Sequence, residues 1–208
     1  MNRFHNQSSL SLFAVAKIHY YPQYFVYICA IFFKHLMDYQ IRPIRTEEIP
    51  QLKDFLYEAI FIPEGAAAPP REIVDDDSLQ IYIRNFGQDP DDRCLVAVAD
   101  DKVVGAIWAR IMNDYGHIAV DVPSIAISLY KEYRDKGIGT ELLKQMLNLL
   151  KADGYKSVSL SVQKANYAMK MYQKAGFQVI SDDAEEAIMK CVLYGRCPHG
   201  PHPAIRPA

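Results

Sequence analysis

The chain has 208 residues, a hydrophobic fraction of 50% and a formal net charge of -2 from 23 basic and 25 acidic residues. This length and composition predict one globular domain that can bury a full core. The near-neutral charge balance argues against nucleic acid as a partner, because such proteins need a basic surface.

Four cysteines stand far apart, and none belongs to a CxxC pair. In a chain of this size that pattern argues against a disulfide framework and fits a reducing compartment, so we expect a cytoplasmic protein. The cysteines and histidines near the C-terminus do not have the spacing of a usual zinc site, and we expect no bound metal.

Residues 10–33 are rich in apolar and aromatic side chains, but Lys17, His19 and Pro22 interrupt the run. The uninterrupted part is shorter than the ~20 residues that cross a bilayer. It also lacks the small-residue cleavage site of a signal peptide. Membrane insertion is therefore not expected, and a membrane-facing or partner-facing helix is the alternative.

Three regions follow from this pattern. We interpret residues 1–37 as an apolar extension that ends at Met37, which is the candidate for the native start. Residues 38–195 form the predicted domain. Residues 196–208 are rich in Pro, His and Gly, and we expect them to be a disordered tail.

The first half of the domain begins with a predicted strand at 41–45 and a helix from Thr46 to about residue 60. A substantial loop follows, because residues 61–70 contain prolines, a glycine and three alanines. A short helix that ends at Gly87 comes next. The remaining predicted elements of this half are a hairpin of strands at 94–99 and 102–112, and a long strand from about 117 to the turn at Arg134.

The second half alternates helices and strands. An amphipathic helix begins near Ile138, and Gly154 ends it. A strand at 157–162, a helix after Asn166 and two strands at 177–180 and 187–193 complete the pattern. The element order predicts the α+β class.

A glycine-rich turn, Arg134–Thr140, lies between the long strand and the amphipathic helix. Unpaired N–H groups and the helix dipole at such a helix start favour an anion, above all a phosphate. Gly137 and Gly139 let the backbone approach the ligand closely, and Arg134 and Lys136 add positive charge. The turn therefore predicts a cofactor that carries phosphate.

Two common phosphate motifs do not fit this turn. A P-loop needs Lys-Ser/Thr after its last glycine, but Thr140-Glu141 follows Gly139. A dinucleotide fingerprint needs a third glycine where Leu142 stands. The remaining pattern, Arg-x-x-Gly-x-Gly, resembles the acetyl-CoA pyrophosphate loop of the GCN5-related N-acetyltransferase (GNAT) superfamily.

A second stretch supports the resemblance. The β-rich run at 157–162 is followed by Asn166, a short helix with Tyr172, and Gly176-Phe177. This order is similar to another GNAT landmark. The resemblance covers residues 39–193 and implies a single-domain fold with a mixed sheet, and acetyl-CoA as the co-substrate.

The resemblance also assigns cofactor contacts. It implies that the turn, with Arg134, Lys136, Gly137, Ile138, Gly139 and Thr140, holds the pyrophosphate. The backbone N–H groups of Ile127 and Leu129 would polarise the thioester carbonyl. Asn166 would bond the pantetheine arm, cap its helix, or do both.

Two catalytic groups are needed, a general acid and a general base. The resemblance makes Tyr172 the candidate general acid, although the apolar face of its helix also fits a core tyrosine. For the general base we rank Asp121 first, because it falls in the predicted long strand. Glu64 in the large loop is second. His117 is third: its unperturbed pKa suits the task, but a histidine in a turn is usually only solvated. A chain of water molecules without a single base is the alternative.

The predicted function is acetyl-CoA-dependent transfer of an acetyl group to a primary amine by direct attack. The acceptor is a small molecule or a peptide, and a homodimer is a possible assembly. A non-catalytic acyl-CoA-binding sensor on the same fold is one alternative. A membrane-associated scaffold that uses the N-terminal segment is another.

Overall fold

The structure, a computed structural model, describes residues 38–193. Residues 40–193 belong to one compact unit. The interpretations of residues 1–37 and 196–208 therefore lie outside the described residues. Within 38–193, no helix is long and apolar enough to cross a membrane.

Seven strands, four α-helices and three 3-10 segments make up the described domain. The strands are β1 (Tyr39–Pro43), β2 (Arg93–Ala99), β3 (Lys102–Arg110), β4 (Ser124–Leu129), β5 (Ser157–Gln163), β6 (Gln178–Asp182) and β7 (Glu186–Val192). The helices are α1 (Leu52–Ala59), α2 (Asp77–Gln80), α3 (Ile138–Ala152) and α4 (Ala168–Lys174). The 3-10 segments are Thr46–Gln51, Arg71–Asp75 and Lys131–Tyr133.

All seven strands form one sheet in the order β1-β2-β3-β4-β5-β7-β6. Strands β2, β3 and β4 pair antiparallel, as do β5, β7 and β6, while β4 and β5 pair parallel. The predicted α+β class with a mixed sheet is confirmed.

The two faces of the sheet are covered by different helices. Phe55 and Leu56 of α1 pack with Trp108 and Ala106 of β3 on the first face. Because side chains alternate across a strand, the fully buried Ile107 points to the opposite face. Helix α3 contacts β2, β3 and β4 there. We call these the α1 face and the α3 face.

The helix predicted from Thr46 is not α-helical over its first residues. Residues Thr46–Gln51 form a 3-10 segment, and α-helix begins only at Leu52. An α-helix starting at Thr46 would need an N–H from Pro50, which proline lacks. Instead, the Arg45 N–H donates to the Glu48 carboxylate at 2.9 Å and fixes the start of the 3-10 segment.

The long strand predicted from about residue 117 is also wrong. Regular pairing begins only at Ser124, and residues 111–123 form turns and irregular backbone. Pro123 cannot donate to a strand ladder. Gly116 lies against β5, where a Cβ atom would stand 3.0 Å from the Ser161 nitrogen. The segment therefore crosses β5 instead of extending β4.

Candidate active site

Strands β4 and β5 separate after a single point of pairing. Their only register pair is Ser124 with Ser159, where the Ser159 N–H donates to the Pro123 carbonyl at 3.0 Å. On its other side β4 pairs with β3 over all six residues. The sheet therefore opens between β4 and β5 beyond Ser124, and we call this opening the split.

Backbone N–H groups of β4 point into the split. The Tyr130 N–H donates to Val104 of β3, and alternate residues of an antiparallel strand bond the same neighbour. Ile127 and Leu129 have the opposite parity, so their N–H groups point towards β5. In the described part of the chain neither N–H has a strand partner beyond the Ser124 pair. These are the two residues that the sequence predicts for the thioester carbonyl.

The glycine-rich turn lies where β4 ends and α3 begins. Gly137 has a left-handed φ of +82° and no atom within 4 Å of the place of a Cβ atom. A Cβ on Gly139 would stand 3.2 Å from Leu129 of β4. Ile138 is buried as the first residue of α3, and Thr140 is exposed. The turn thus leaves open space at the start of a 15-residue helix.

The two basic residues of the turn differ in their surroundings. Lys136 is exposed, and its Nζ lies 5.6 Å from the centre of the Tyr133 ring. Arg134 is half-buried: its Nε donates to the Leu129 carbonyl at 2.9 Å and its Nη2 to the Glu58 carboxylate at 2.8 Å. Arg134 therefore joins the turn to the ends of β4 and α1.

Asn166 and Tyr172 lie on the segment after β5. The Asn166 side-chain oxygen accepts from the Ala168 N–H at 2.9 Å, so Asn166 caps the start of α4. Tyr172 is only 8% exposed, and its ring centre is 5.8 Å from that of Phe177. Burial raises the pKa of the Tyr172 hydroxyl above its usual value. Met171, the neighbour of Tyr172, lies near Gly139, which places α4 beside the glycine-rich turn.

The proposed bases are not brought together. Asp121 is exposed in a turn before β4, so the premise that it lies on a rigid strand is wrong. Glu64 is exposed in the loop between α1 and the following 3-10 segment. His117 is half-buried, and its Nδ1 donates to the Met112 carbonyl at 2.9 Å. That bond leaves the His117 Nε2 as the acceptor nitrogen of the neutral ring.

Sequence reasoning missed a polar cluster on the α1 face of the sheet. Ser124 donates to the Asp114 carboxylate at 2.7 Å, and Tyr82 lies beside the same carboxylate. Ser159 and Ser161 of β5 share this face. The alternation of serine with apolar residues along β5 was the signal available in the sequence, because it predicts a strand with a polar buried face.

The geometry defines a fold class first: a mixed sheet that opens between two parallel strands, beside a glycine-rich helix start. A family model described as Acetyltransferase (GNAT) family matches residues 57–177. That match spans more than half of the 208 residues. The chain therefore belongs to the GNAT acetyltransferase family.

Curated relatives match part of the chain. An N-alpha-acetyltransferase of Saccharolobus solfataricus is 34% identical over 94 residues, which are 41% of this chain and 56% of that protein. N-alpha-acetyltransferase 50 of Danio rerio is 33% identical over 87 residues, 41% of this chain and 51% of that protein. The chain thus spans little more than half the length of these relatives.

Solved structures agree in fold. The crystal structure of PaiA N-acetyltransferase from Thermoplasma acidophilum in complex with coenzyme A aligns with a TM-score of 0.56 at 23% identity. The alignment covers 75% of this chain and 99% of that one. At this identity the likeness shows the fold.

Proposed function

We propose that this protein transfers an acetyl group from acetyl-CoA to a primary amine. The observation that carries the proposal is the split between β4 and β5, with two unpaired N–H groups on one edge and the glycine-rich turn at its end. The related fold that holds coenzyme A supports an acyl-CoA ligand here.

The residues of the split would bind and activate the co-substrate. The Gly137–Thr140 backbone and the start of α3 suit its pyrophosphate, because free N–H groups and the helix dipole favour negative charge. When bound, acetyl-CoA supplies an activated acetyl group as a thioester. The Ile127 and Leu129 N–H groups are fixed by β3 pairing, so they can stabilise negative charge on the thioester oxygen without rearrangement.

Tyr172 is suited to protonate the departing thiolate. Its burial keeps the hydroxyl protonated at neutral pH, and α4 lies next to the turn that would hold the co-substrate. Asn166 is placed at the start of the same helix, with its side-chain oxygen already used for capping. Its amide nitrogen is the group that would bond the pantetheine arm.

We infer that the acceptor is the α-amino group of a peptide. The names of both curated relatives support this class. An α-amino group has an ordinary pKa near 8, so more of it is neutral at physiological pH than of a lysine side chain. The exposed loop at 61–70, with Glu64, is where an acceptor chain would be contacted. Small-molecule amines remain the competing acceptors.

The cellular setting remains a prediction. Cys94 and Cys191 are free thiols inside the described domain, which fits a reducing compartment such as the cytoplasm.

Turnover separates the enzyme from a non-catalytic acyl-CoA sensor. The purified protein would be assayed with acetyl-CoA and a panel of peptides, polyamines and amino acids, with release of free thiol as the readout. We expect turnover with peptide N-termini. Binding of acetyl-CoA without thiol release for any amine would favour the sensor and reject the enzymatic proposal.

A matched pair of glycine variants tests the binding site. Gly137 and Gly154 lie just before and just after α3, have φ of +82° and +92°, and have no neighbour within 4 Å of a Cβ position. Gly137→Val and Gly154→Val should therefore cost similar stability through backbone strain. Only Gly137→Val should abolish acetyl-CoA binding in calorimetric titration. Equal affinity in both variants would remove the turn from the site.

A further inference from the structure

A half-buried carboxylate, that of Asp114, lies over the closed end of the split. Asp114 Oδ2 accepts a hydrogen bond from the Ser124 hydroxyl at 2.7 Å. Ser124 pairs with Ser159, and this pair is where β4 and β5 last touch before they separate. Asp114 is therefore hydrogen-bonded to the residue of β4 beyond which the split opens.

The segment 111–123 carries Asp114 between β3 and β4, and it lies against β5 at Gly116. A Cβ on Gly116 would stand 2.6 Å from the Ser124 hydroxyl oxygen and 3.0 Å from the Ser161 nitrogen. These contacts leave no room for a side chain at this position. Because the Gly116 backbone lies this close to β5, the Asp114 carboxylate two residues earlier stays near the sheet, although its segment is irregular.

Three enclosed oxygen atoms of this cluster have no hydrogen-bond partner among the described residues: Asp114 Oδ1, Ser159 Oγ and Ser161 Oγ. Ser159 is 0% exposed. Paired residues of neighbouring strands share a face, so Ser159 lies beside Ser124, and Ser161 follows on the same face towards the split. Buried polar atoms are normally satisfied by protein or ordered water. Water could bond all three of these atoms.

Titratable and charged groups surround the carboxylate. Burial, then the charge of Asp114, then a hydrogen bond to that carboxylate raise the pKa of the neighbouring Tyr82, which therefore stays neutral. Glu186 of β7 and Tyr115 of the same connection also act on Tyr82. Three further charged or titratable groups face this cluster. Arg110 of β3 pairs with Ser124 and donates to Asp92. His117 is bonded to Met112, and Lys190 of β7 pairs with Ser159 of β5.

We propose that Asp114 is the proton acceptor of a water relay that the hydroxyls of Ser161 and Ser159 carry from the acceptor amine. The proposal rests on the proposed function. Ile127 lies three positions after Ser124, about 10 Å along the strand, so water must bridge the amine and the carboxylate. A base formed by a chain of water molecules would then end at the Asp114 carboxylate.

The proton balance is simple. The acceptor ammonium loses one proton through water to the Asp114 carboxylate, which becomes a carboxylic acid. The neutral nitrogen forms a bond to the thioester carbon and becomes positively charged. As the carbon–sulfur bond breaks, the nitrogen loses a second proton to water, which leaves the neutral amide. The departing thiolate takes a proton from the Tyr172 hydroxyl. Tyr172 then regains a proton from water and Asp114 returns its proton to solvent, so each cycle releases one proton.

Asp114→Asn tests the relay in the full-length protein. The amide can still accept from Ser124 but cannot take up a proton. With a peptide substrate, kcat/KM should fall about 100-fold at neutral pH and recover at high pH as free amine accumulates. Acetyl-CoA affinity should stay within twofold. Asp100→Asn in the β2–β3 turn is the matched control and should keep the wild-type pH profile.

The serines provide a second test that does not depend on folding of the Asp114 variant. Ser161→Ala and Ser159→Ala each remove a hydroxyl without a protein partner, so thermal stability should not fall. Each should lower kcat/KM by about tenfold if the hydroxyl carries water. Ser157→Ala on the same face of β5, on the far side of the Ser124–Ser159 pair from the split, is the control and should be neutral.

The outcomes decide between the inferences. A pH profile of Asp114→Asn parallel to wild type, or full activity in both serine variants, overturns the relay while the enzyme itself stands. A pH-dependent loss in Asp121→Asn or Glu64→Gln instead of Asp114→Asn also overturns it. Absence of turnover by the wild-type protein rejects the proposed function, and the relay is rejected with it.

Discussion

The burial of Tyr172 fits two different roles for this residue. The sequence allows either a core tyrosine or a general acid, and the structure shows a buried ring packed on Phe177. Burial raises the pKa of its hydroxyl, because the low-polarity surroundings disfavour the phenolate. A donor must be protonated when the thiolate forms, so burial supports both interpretations at once.

Tyr172→Phe separates them, since it keeps the ring and removes the proton. A general acid typically contributes ~10²- to 10⁴-fold. We expect kcat to fall at least tenfold, with unchanged acetyl-CoA affinity and thermal stability. The measurement is kcat where chemistry limits the rate. An unchanged kcat would make Tyr172 a packing residue. A fall in kcat that is accompanied by a fall in thermal stability would also indicate a packing role in the core.

At the scale of elements, Arg134 joins three parts of the fold. Its guanidinium bonds the last residue of β4, and the carbonyl and carboxylate of Glu58 in α1, while its backbone belongs to the glycine-rich turn. The sequence predicts this arginine as a positive charge for phosphate. The structure shows its charge already paired with Glu58, so we propose that the side chain holds the turn in position.

Two variants distinguish a clamp from a phosphate contact. Glu58→Gln removes the paired charge, and Arg134→Lys removes the forked bonding while keeping the charge. If Arg134 is a clamp, both variants should weaken acetyl-CoA binding by about 1 kcal/mol, or roughly fivefold in Kd. If Arg134 contacts phosphate, Glu58→Gln should instead strengthen binding. Titration calorimetry at low and moderate salt measures the difference.

At the scale of the whole molecule, a partly buried ion pair connects the first strand to the following helical segment. Arg42 of β1 donates two hydrogen bonds to Glu48 at 2.6 and 2.7 Å, and Glu48 also accepts from the Arg45 N–H. The hydrogen bond from Arg42, the largest cause, lowers the pKa of Glu48 to about 2. A carboxylate stabilised in this way contributes to the stability of the folded domain above its unfolded pKa of 4.5.

Glu48→Gln should therefore destabilise the domain at neutral pH by on the order of 2 kcal/mol. Because the folded pKa is lowered, the wild-type advantage should be complete above about pH 5 and disappear as the pH falls towards 2. Denaturant unfolding of both proteins from pH 7 to pH 2 measures this. Asp100→Asn, an exposed change, should leave the stability curve unchanged. A gap between wild type and Glu48→Gln that does not narrow at low pH would contradict the lowered pKa.

The sequence by itself determined the parts of this protein that depend on neighbours along the chain. Apolar periodicity defined α3 and the hairpin of β2 and β3, and Gly137 marked the left-handed turn at the start of α3. The parity of β4 residues, which presents the Ile127 and Leu129 N–H groups on one side, also follows from local strand geometry. Local patterns carry this information because dihedral preferences and side-chain periodicity act over a few residues.

Only the tertiary structure decided which distant groups meet. Glu58 and Arg134 are 76 residues apart in the chain, and Asp114 reaches Ser124 because Gly116 lies against β5. The separation of β4 from β5 beyond Ser124 leaves no mark in either strand alone. The prediction that Asp121 lies on a strand is wrong for the same reason. The residues around Asp121 suit a strand, but the backbone before Ser124 lies against β5 and does not pair in the sheet. Such outcomes depend on which surfaces fit together in three dimensions, and local sequence patterns do not record that fit.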